Sequence, residues 1–101
     1  MSYKILYDKR VAKDIKKLRL TNAQKEKLKH KIIEVSQNPI SKSEGGYGEA
    51  LKGNLKGYLK FRFDSNYRVI YKIEVIDNVM KIIIIGLRKD STVYEEMDKR
   101  I

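Results

Sequence analysis

Gly57-Tyr-Leu-Lys-Phe-Arg-Phe-Asp-Ser-Asn-Tyr-Arg-Val-Ile-Tyr-Lys-Ile73 reads as two adjacent strands joined by a short turn. Leu59, Phe61 and Phe63 alternate with Tyr58, Lys60 and Arg62, and a period of two sends the first set to a buried face and the second to an open one. Asp64-Ser-Asn66 has turn composition, and the chain returns through Tyr67-Arg-Val-Ile-Tyr71, which brings Arg68 close to Lys60 and Arg62. Like charges facing each other across strands repel. A hairpin that gathers three cations therefore predicts an anionic guest, and a phosphate backbone is the natural one.

Outward from the hairpin, the flanking chain supplies what packs against it. Upstream, Ser2 to Tyr7 reads as a first strand, with Tyr3, Ile5 and Tyr7 on one face. Asp8 can cap a helix in which Val11, Ile15 and Leu18 recur at helical spacing. Thr21-Asn-Ala-Gln24 has the form of a capping box and opens a second helix with Leu28, Ile32 and Val35 on its apolar side; Pro39 ends it. The two helices are expected to be antiparallel, joined tightly around Arg19-Leu20. Residues 38–50 form a loop by composition. Downstream, Asp77-Asn78 marks a second hairpin turn, Val79 to Ile85 is a central strand apolar on both faces, and Gly86 closes it. A short terminal helix follows from Ser91, with Asp90 or Ser91 as cap and Lys99 and Arg100 complementing its C-terminal dipole.

The order β-α-α-β-β-β-α has no internal repeat, so residues 1–101 form a single domain. It predicts an α+β fold: a curved, mainly antiparallel four-stranded sheet whose apolar face packs on the two N-terminal helices. The other face is left open, carrying Lys60, Arg62 and Arg68, with Arg88 entering from the end of the last strand.

Composition bounds the chemistry. Lys and Arg number 23 against 13 Asp and Glu, a formal charge of +10, which points to a polyanionic partner. There is no cysteine, hence no disulfide framework, thiolate nucleophile or thiolate metal site. No signal-peptide core opens the chain, and the longest apolar run, Ile82 to Ile85, is too short to span a bilayer; a cytoplasmic protein without a membrane partner is expected. The lysines of the helices, Lys9, Lys13, Lys16, Lys17, Lys25, Lys27, Lys29 and Lys31 with Arg10, are individually a solvated face, and in sum attract RNA from a distance. His30 lies in that run and reads as a surface residue. No paired carboxylates, metal-ligand cluster or glycine phosphate loop occurs, and no cofactor is implied.

The Tyr-Lys-Ile start, Leu51-Lys-Gly-Asn-Leu-Lys-Gly-Tyr58, Tyr67-Arg-Val-Ile-Tyr71 and Ile85-Gly-Leu-Arg-Lys-Asp-Ser-Thr-Val-Tyr94, in this order and spacing, resemble the RelE/ParE superfamily of bacterial toxin–antitoxin toxins over nearly the whole chain. The resemblance implies a microbial-RNase-like fold and one of two activities. RelE-type members cut messenger RNA in the ribosomal A site, whereas ParE-type members poison DNA gyrase and lack most of the RNase residues. By that likeness Lys60 and Arg62 match the alternating basic pair of a strand, Arg68 after Tyr67 the strand arginine, and Arg88 and Tyr94 an arginine and tyrosine six positions apart. The chain departs from the pattern in three places: Arg62 stands for a lysine, the interval from Arg62 to Arg68 is one residue shorter, and Leu87 stands where many relatives have histidine. The likeness also implies a cognate antitoxin that is acidic or amphipathic and whose complex often binds operator DNA.

Cleavage by internal attack needs a base for the 2′-OH, cations for the charge that builds on the phosphorane and a donor for the leaving 5′-oxygen. Lys60 is the candidate base, because cations beside an amine favour its neutral form. Arginine is charged at any working pH, so Arg62, Arg68 and Arg88 suit phosphate binding, while Tyr94 can stack on the base beside the cut and either Arg88 or Tyr94 can protonate the leaving group. A passive RNA- or ribosome-binding face and a gyrase inhibitor are the alternatives.

Overall fold

The computed structural model describes residues 2–88 and 92–100. Its strands and helices run β1 (Lys4–Tyr7), α1 (Val11–Leu18), α2 (Asn22–Ser36), β2 (Glu49–Ala50), β3 (Leu59–Phe63), β4 (Tyr67–Glu74), β5 (Val79–Leu87) and α3 (Thr92–Asp98). They form one sheet in the order β1-β5-β4-β3-β2. Of these strands only β1 and β5 pair in parallel, and the chain between them runs through α1, α2 and β2 to β4, ample length for a parallel pairing. The fold class is as read from the pattern, with one strand more: five strands replace the expected four. The fifth is two residues long, Glu49↔Lys60 and Ala50↔Leu59 against β3, inside a glycine-rich stretch too short for periodicity to register.

Local chemistry explains the helix bounds. The Thr21 hydroxyl accepts from the Gln24 N–H at 3.1 Å and the Gln24 amide oxygen accepts from the Thr21 N–H at 2.9 Å, so the capping box exists as read. At the start of α1 the cap differs from expectation: the N-cap is Arg10, two residues after Asp8, and the Asp8 carboxylate accepts from the Arg10 backbone N–H at 2.9 Å and from its guanidinium at 2.8 and 2.9 Å. Helix α1 ends at Arg19, whose φ of 51° turns the chain tightly into α2.

Two apolar clusters sandwich the sheet. Val11, Leu20, Leu28, Ile32 and Val35 of the helical layer meet Leu59, Phe61, Phe63, Val69, Tyr71, Met80, Ile82 and Ile85. On the opposite face Ile70, Ile83 and Ile84 meet Val93 and Met97 of α3 and Leu55, with Leu51, Tyr58 and Tyr94 at the margin. That face is thus partly covered, not open as expected. Strand β5, paired with β1 on one side and β4 on the other, is central as read, and a register shift lets Ile83 and Ile84 both face α3. It does not stop before Gly86 but continues to Leu87. A Cβ at Gly86 would meet Val93 Cγ2 at 3.0 Å, so the glycine lets α3 sit close on the strand. The expected caps of α3, Asp90 and Ser91, lie outside the described residues. Among the described residues no helix is long and apolar enough to cross a membrane.

Candidate active site

Strand β3 sorts its side chains as alternation requires: Leu59, Phe61 and Phe63 are buried, Lys60 is half-buried and Arg62 is exposed. Register then decides which cations meet. Residues directly opposite each other in neighbouring strands share a face. Lys60 lies opposite Ile70, itself opposite Ile84; Arg62 lies opposite Arg68, itself opposite Gly86. Arg88, exposed and two residues beyond Gly86, extends the second row, and its backbone N–H donates to the Asn66 carbonyl at 2.9 Å, tying the end of β5 to the β3–β4 turn.

Tyr94 reaches the first row from α3. The Lys60 Nζ donates to the Tyr94 hydroxyl at 3.0 Å and lies 5.5 Å from its ring centroid, a contact that joins residues 34 apart in sequence. The structure therefore brings Lys60 to Tyr94, Arg62 to Arg68, and the end of β5 to the turn beside Arg68.

Arg68 departs from expectation. It is only 4% exposed, so it lies beneath the face it was expected to occupy openly. Its Nη1 donates to the carbonyls of Ser65 at 2.8 Å and Tyr67 at 2.9 Å, folding the guanidinium over its own turn. Among the described residues no carboxylate pairs with Lys60, Arg68 or Arg88. The one acid of the turn, Asp64, is taken by α2: Gln24 donates to it at 2.8 Å and Lys27 Nζ is 3.5 Å away. The Gln24 bond first, and the Lys27 charge second, hold that carboxyl below its ordinary range.

Glu49 escaped the sequence reading. This residue of β2 has Oε1 3.8 Å from Arg62 Nη2 and 3.6 Å from Lys42 Nζ, while its Oε2 is buried without a hydrogen-bond partner. It lines a cavity of about 340 Å³ with Lys31, Lys42, Tyr47, Phe61 and Arg62. Nothing in residues 38–50 signals this, because only strand pairing with β3 puts an acid from a loop-like stretch next to Arg62.

His30 is a surface residue, as read from the sequence. Its side chain is 79% exposed and 3.7 Å from Glu26. Tyr71 is fully buried, donates to the Pro39 carbonyl at 2.7 Å, and burial pushes its hydroxyl well above the usual tyrosine range. Tyr3 and Tyr58 pack against the two clusters, whereas Tyr7 is exposed. Among the described residues no group of three or more metal-ligating side chains is assembled.

Comparison with known proteins places this arrangement. Residues 5–93 match the family model of the ParE toxin of type II toxin–antitoxin systems. The mRNA interferase toxin RelE of Escherichia coli is 34% identical over 102 aligned positions, which take in 100% of this chain and 99% of RelE. A mutant of E. coli RelE in the free state superposes with a TM-score of 0.77 at 30% identity, covering 100% of this chain and 99% of that one. The same toxin in complex with a peptide of the antitoxin RelB gives a TM-score of 0.69 at 29% identity, over 100% and 99% of the two chains. Family model, full-length likeness and superposition agree, and the chain belongs to the RelE/ParE family of toxins of type II toxin–antitoxin systems.

Proposed function

We propose that the cationic sheet face cleaves messenger RNA, and that the chain is a translation-inhibiting endoribonuclease toxin acting on mRNA held in the ribosomal A site. The observation that carries this reading is the contact of Lys60 Nζ with the Tyr94 hydroxyl, one row away from Arg62 and Arg68 on the same face. An amine and a hydroxyl in hydrogen-bond contact beside arginines supply the proton carriers and the positive charge that phosphodiester cleavage needs. The name of the RelE relative, an mRNA interferase, points the same way.

The step is internal. The 2′-oxygen attacks the adjacent phosphorus, a P–O2′ bond forms and the P–O5′ bond breaks, leaving a 2′,3′-cyclic phosphate. Lys60 takes the 2′-OH proton. Because the Tyr94 oxygen accepts from Lys60, its own O–H is free to point elsewhere; as Tyr94 gives that proton to the 5′-oxygen, Lys60 returns one to Tyr94, and the enzyme ends as it began. Arg62 and Arg88, both exposed, hold the phosphate. Arg68, buried below them, acts as a fixed charge under the row. In-line orientation of the 2′-OH is left to the ribosome, and orientation alone removes a large part of such a barrier.

A cognate antitoxin restrains this chain in the same reading, as RelB peptide binds RelE. A formal charge of +10 suits an acidic or amphipathic partner, and operator DNA is reached through that complex. Purified protein is tested on mRNA in stalled, reconstituted ribosomes. Cuts with 2′,3′-cyclic phosphate ends are expected, lost by at least about 10²-fold in Lys60→Ala and Arg88→Ala variants that keep the wild-type circular dichroism spectrum. Intact mRNA with loss of DNA supercoiling by gyrase would assign the chain to the ParE activity instead; ribosome binding with neither effect would make it a binding module.

A further inference from the structure

Tyr94 sits on the shortest α-helix among the described residues. Helix α3 has seven residues, too few to be stable alone in water, so its place over the site depends on what ties it down. Val93 and Met97, 1% and 0% exposed, are one anchor. The other is polar and comes from beyond the end of the helix. Arg100 donates from Nη2 to Asp14 Oδ1 at 2.6 Å and from Nη1 to Asp14 Oδ2 at 2.8 Å, reaching a residue of α1 that lies 86 positions earlier. This overturns the expectation that Arg100 merely complements the dipole of its own helix.

The pair also ends the sheet. Strand β1 pairs with β5 only from Val79 to Ile82, and past that point the edge of β5 has lost its neighbour. There Arg100 Nη1 donates to the Ile83 carbonyl at 2.9 Å, and Asp14 Oδ2 accepts from the Ile85 N–H at 3.2 Å. Both side chains are 11% exposed. One ion pair thus finishes the edge of β5 and pins the C-terminal end of α3 to α1. An arginine fork on a carboxylate fixes angle as well as distance, which a purely apolar contact does not.

We propose that Asp14 and Arg100 are positioning residues for the cleavage reaction: their bidentate pair sets the orientation of α3, and through it the distance between the Tyr94 hydroxyl and Lys60 Nζ. The inference rests on the reading of the Lys60–Tyr94 pair as the cleavage site. Arg100 follows Tyr94 by six positions, so a shift at its tether tilts a rigid short rod whose other end carries the hydroxyl.

The test uses the full-length double variant Asp14→Asn/Arg100→Gln, which removes the charges without burying one of them alone, and the milder Arg100→Lys, which keeps the charge and loses the fork. Two readouts are taken. In stalled-ribosome cleavage, kcat is expected to fall about 10- to 100-fold in the double variant, as misplacement of a reacting group does, with KM for the ribosome within about twofold of wild type; Arg100→Lys falls between. In the free protein, the ¹³Cζ resonance of Tyr94 in the double variant is expected to move to the position it has in Lys60→Ala, while that of buried Tyr71 stays. An unmoved Tyr94 resonance, or an unchanged kcat in a wild type that does cleave, overturns the tether. A wild type that cleaves nothing overturns the reaction assignment instead, and in that case the Tyr94 resonance alone decides whether the tether holds.

Discussion

On one side of the sheet α1 and α2 lay an apolar layer against Leu59, Phe61, Phe63, Val69, Tyr71 and Ile82, and almost every residue there is buried. On the other a seven-residue helix covers only Ile70, Ile83 and Ile84, and leaves the row of Arg62 and Arg68 with like charges directly opposite. The first arrangement is what lowers free energy: apolar area withdrawn from water, at about 25 cal/mol per Å². The second raises it, since paired like charges across strands are unfavourable and a buried guanidinium without a carboxylate is costly. Stability is concentrated on one face, and the other is kept in a state that an anionic strand relieves.

Neighbours on β3 put this to the test, because Phe61 and Arg62 point to opposite faces. Phe61→Ala removes a ring that is 2% exposed and lies 6.0 Å from Tyr71, centroid to centroid. It is expected to cost about 3–5 kcal/mol in urea denaturation, the largest effect on stability foreseen here. Arg62→Gln one residue later is expected to leave stability within about 0.5 kcal/mol of wild type or to raise it, since it takes one charge out of the Arg62–Arg68 opposition, and the 3.8 Å contact it gives up is with a partner shared by Lys42. The same variant should bind a single-stranded RNA oligonucleotide more weakly and with a shallower salt dependence. A loss of more than about 1 kcal/mol in Arg62→Gln would mean that the cationic face contributes to the fold after all.

How much of this was legible in the sequence follows the same division. The alternation through Leu59, Phe61 and Phe63, the capping box at Thr21 and Gln24, and the β-branched run of Val79 to Ile85 are local signals, and each fell where the pattern placed it. Register also gave the Arg62–Arg68 neighbourhood, because a short hairpin leaves few alternatives. What stayed hidden depends on long-range partners. Arg68 reads as a face residue by period, but its guanidinium folds down on the Ser65 and Tyr67 carbonyls. The role of Glu49 needs β2 to pair with β3, and that of Arg100 needs an acid 86 residues away. No periodicity spans such distances.

The helical layer offers a smaller test. Thr21→Ala deletes the hydroxyl that accepts the Gln24 N–H at 3.1 Å. Loss of such a cap costs about 1 kcal/mol, and since the Gln24 side chain that bonds Asp64 of the β3–β4 turn is left in place, cleavage by the folded variant should be unaffected. A capping mutant that lost activity at full folding would show the two faces to be coupled through the sheet.

The smallest effect concerns acid. Asp8 is held well below the usual carboxylate range, chiefly by its hydrogen bond from the Arg10 side chain, then by the Arg10 backbone N–H and charge, against an opposing desolvation. A depressed folded-state value means that the unfolded chain takes up the proton first. The stability this carboxylate contributes is therefore complete above its unfolded value near 4 and is lost as the pH falls below that. With Arg10 partly in solvent, 40% exposed at the side chain, screening limits the contribution to roughly 0.5–1 kcal/mol. Asp8→Asn should then unfold at lower urea than wild type at pH 7, and the gap should narrow steadily as the pH falls below about 4. Because Asp8 belongs to the α1 side of the molecule, the gap should not respond to added RNA beyond the uniform stabilisation that a bound strand gives both proteins. A gap that persists unchanged into acid would show that the aspartate works as a neutral turn former, through geometry that asparagine fails to copy, and not through its charge.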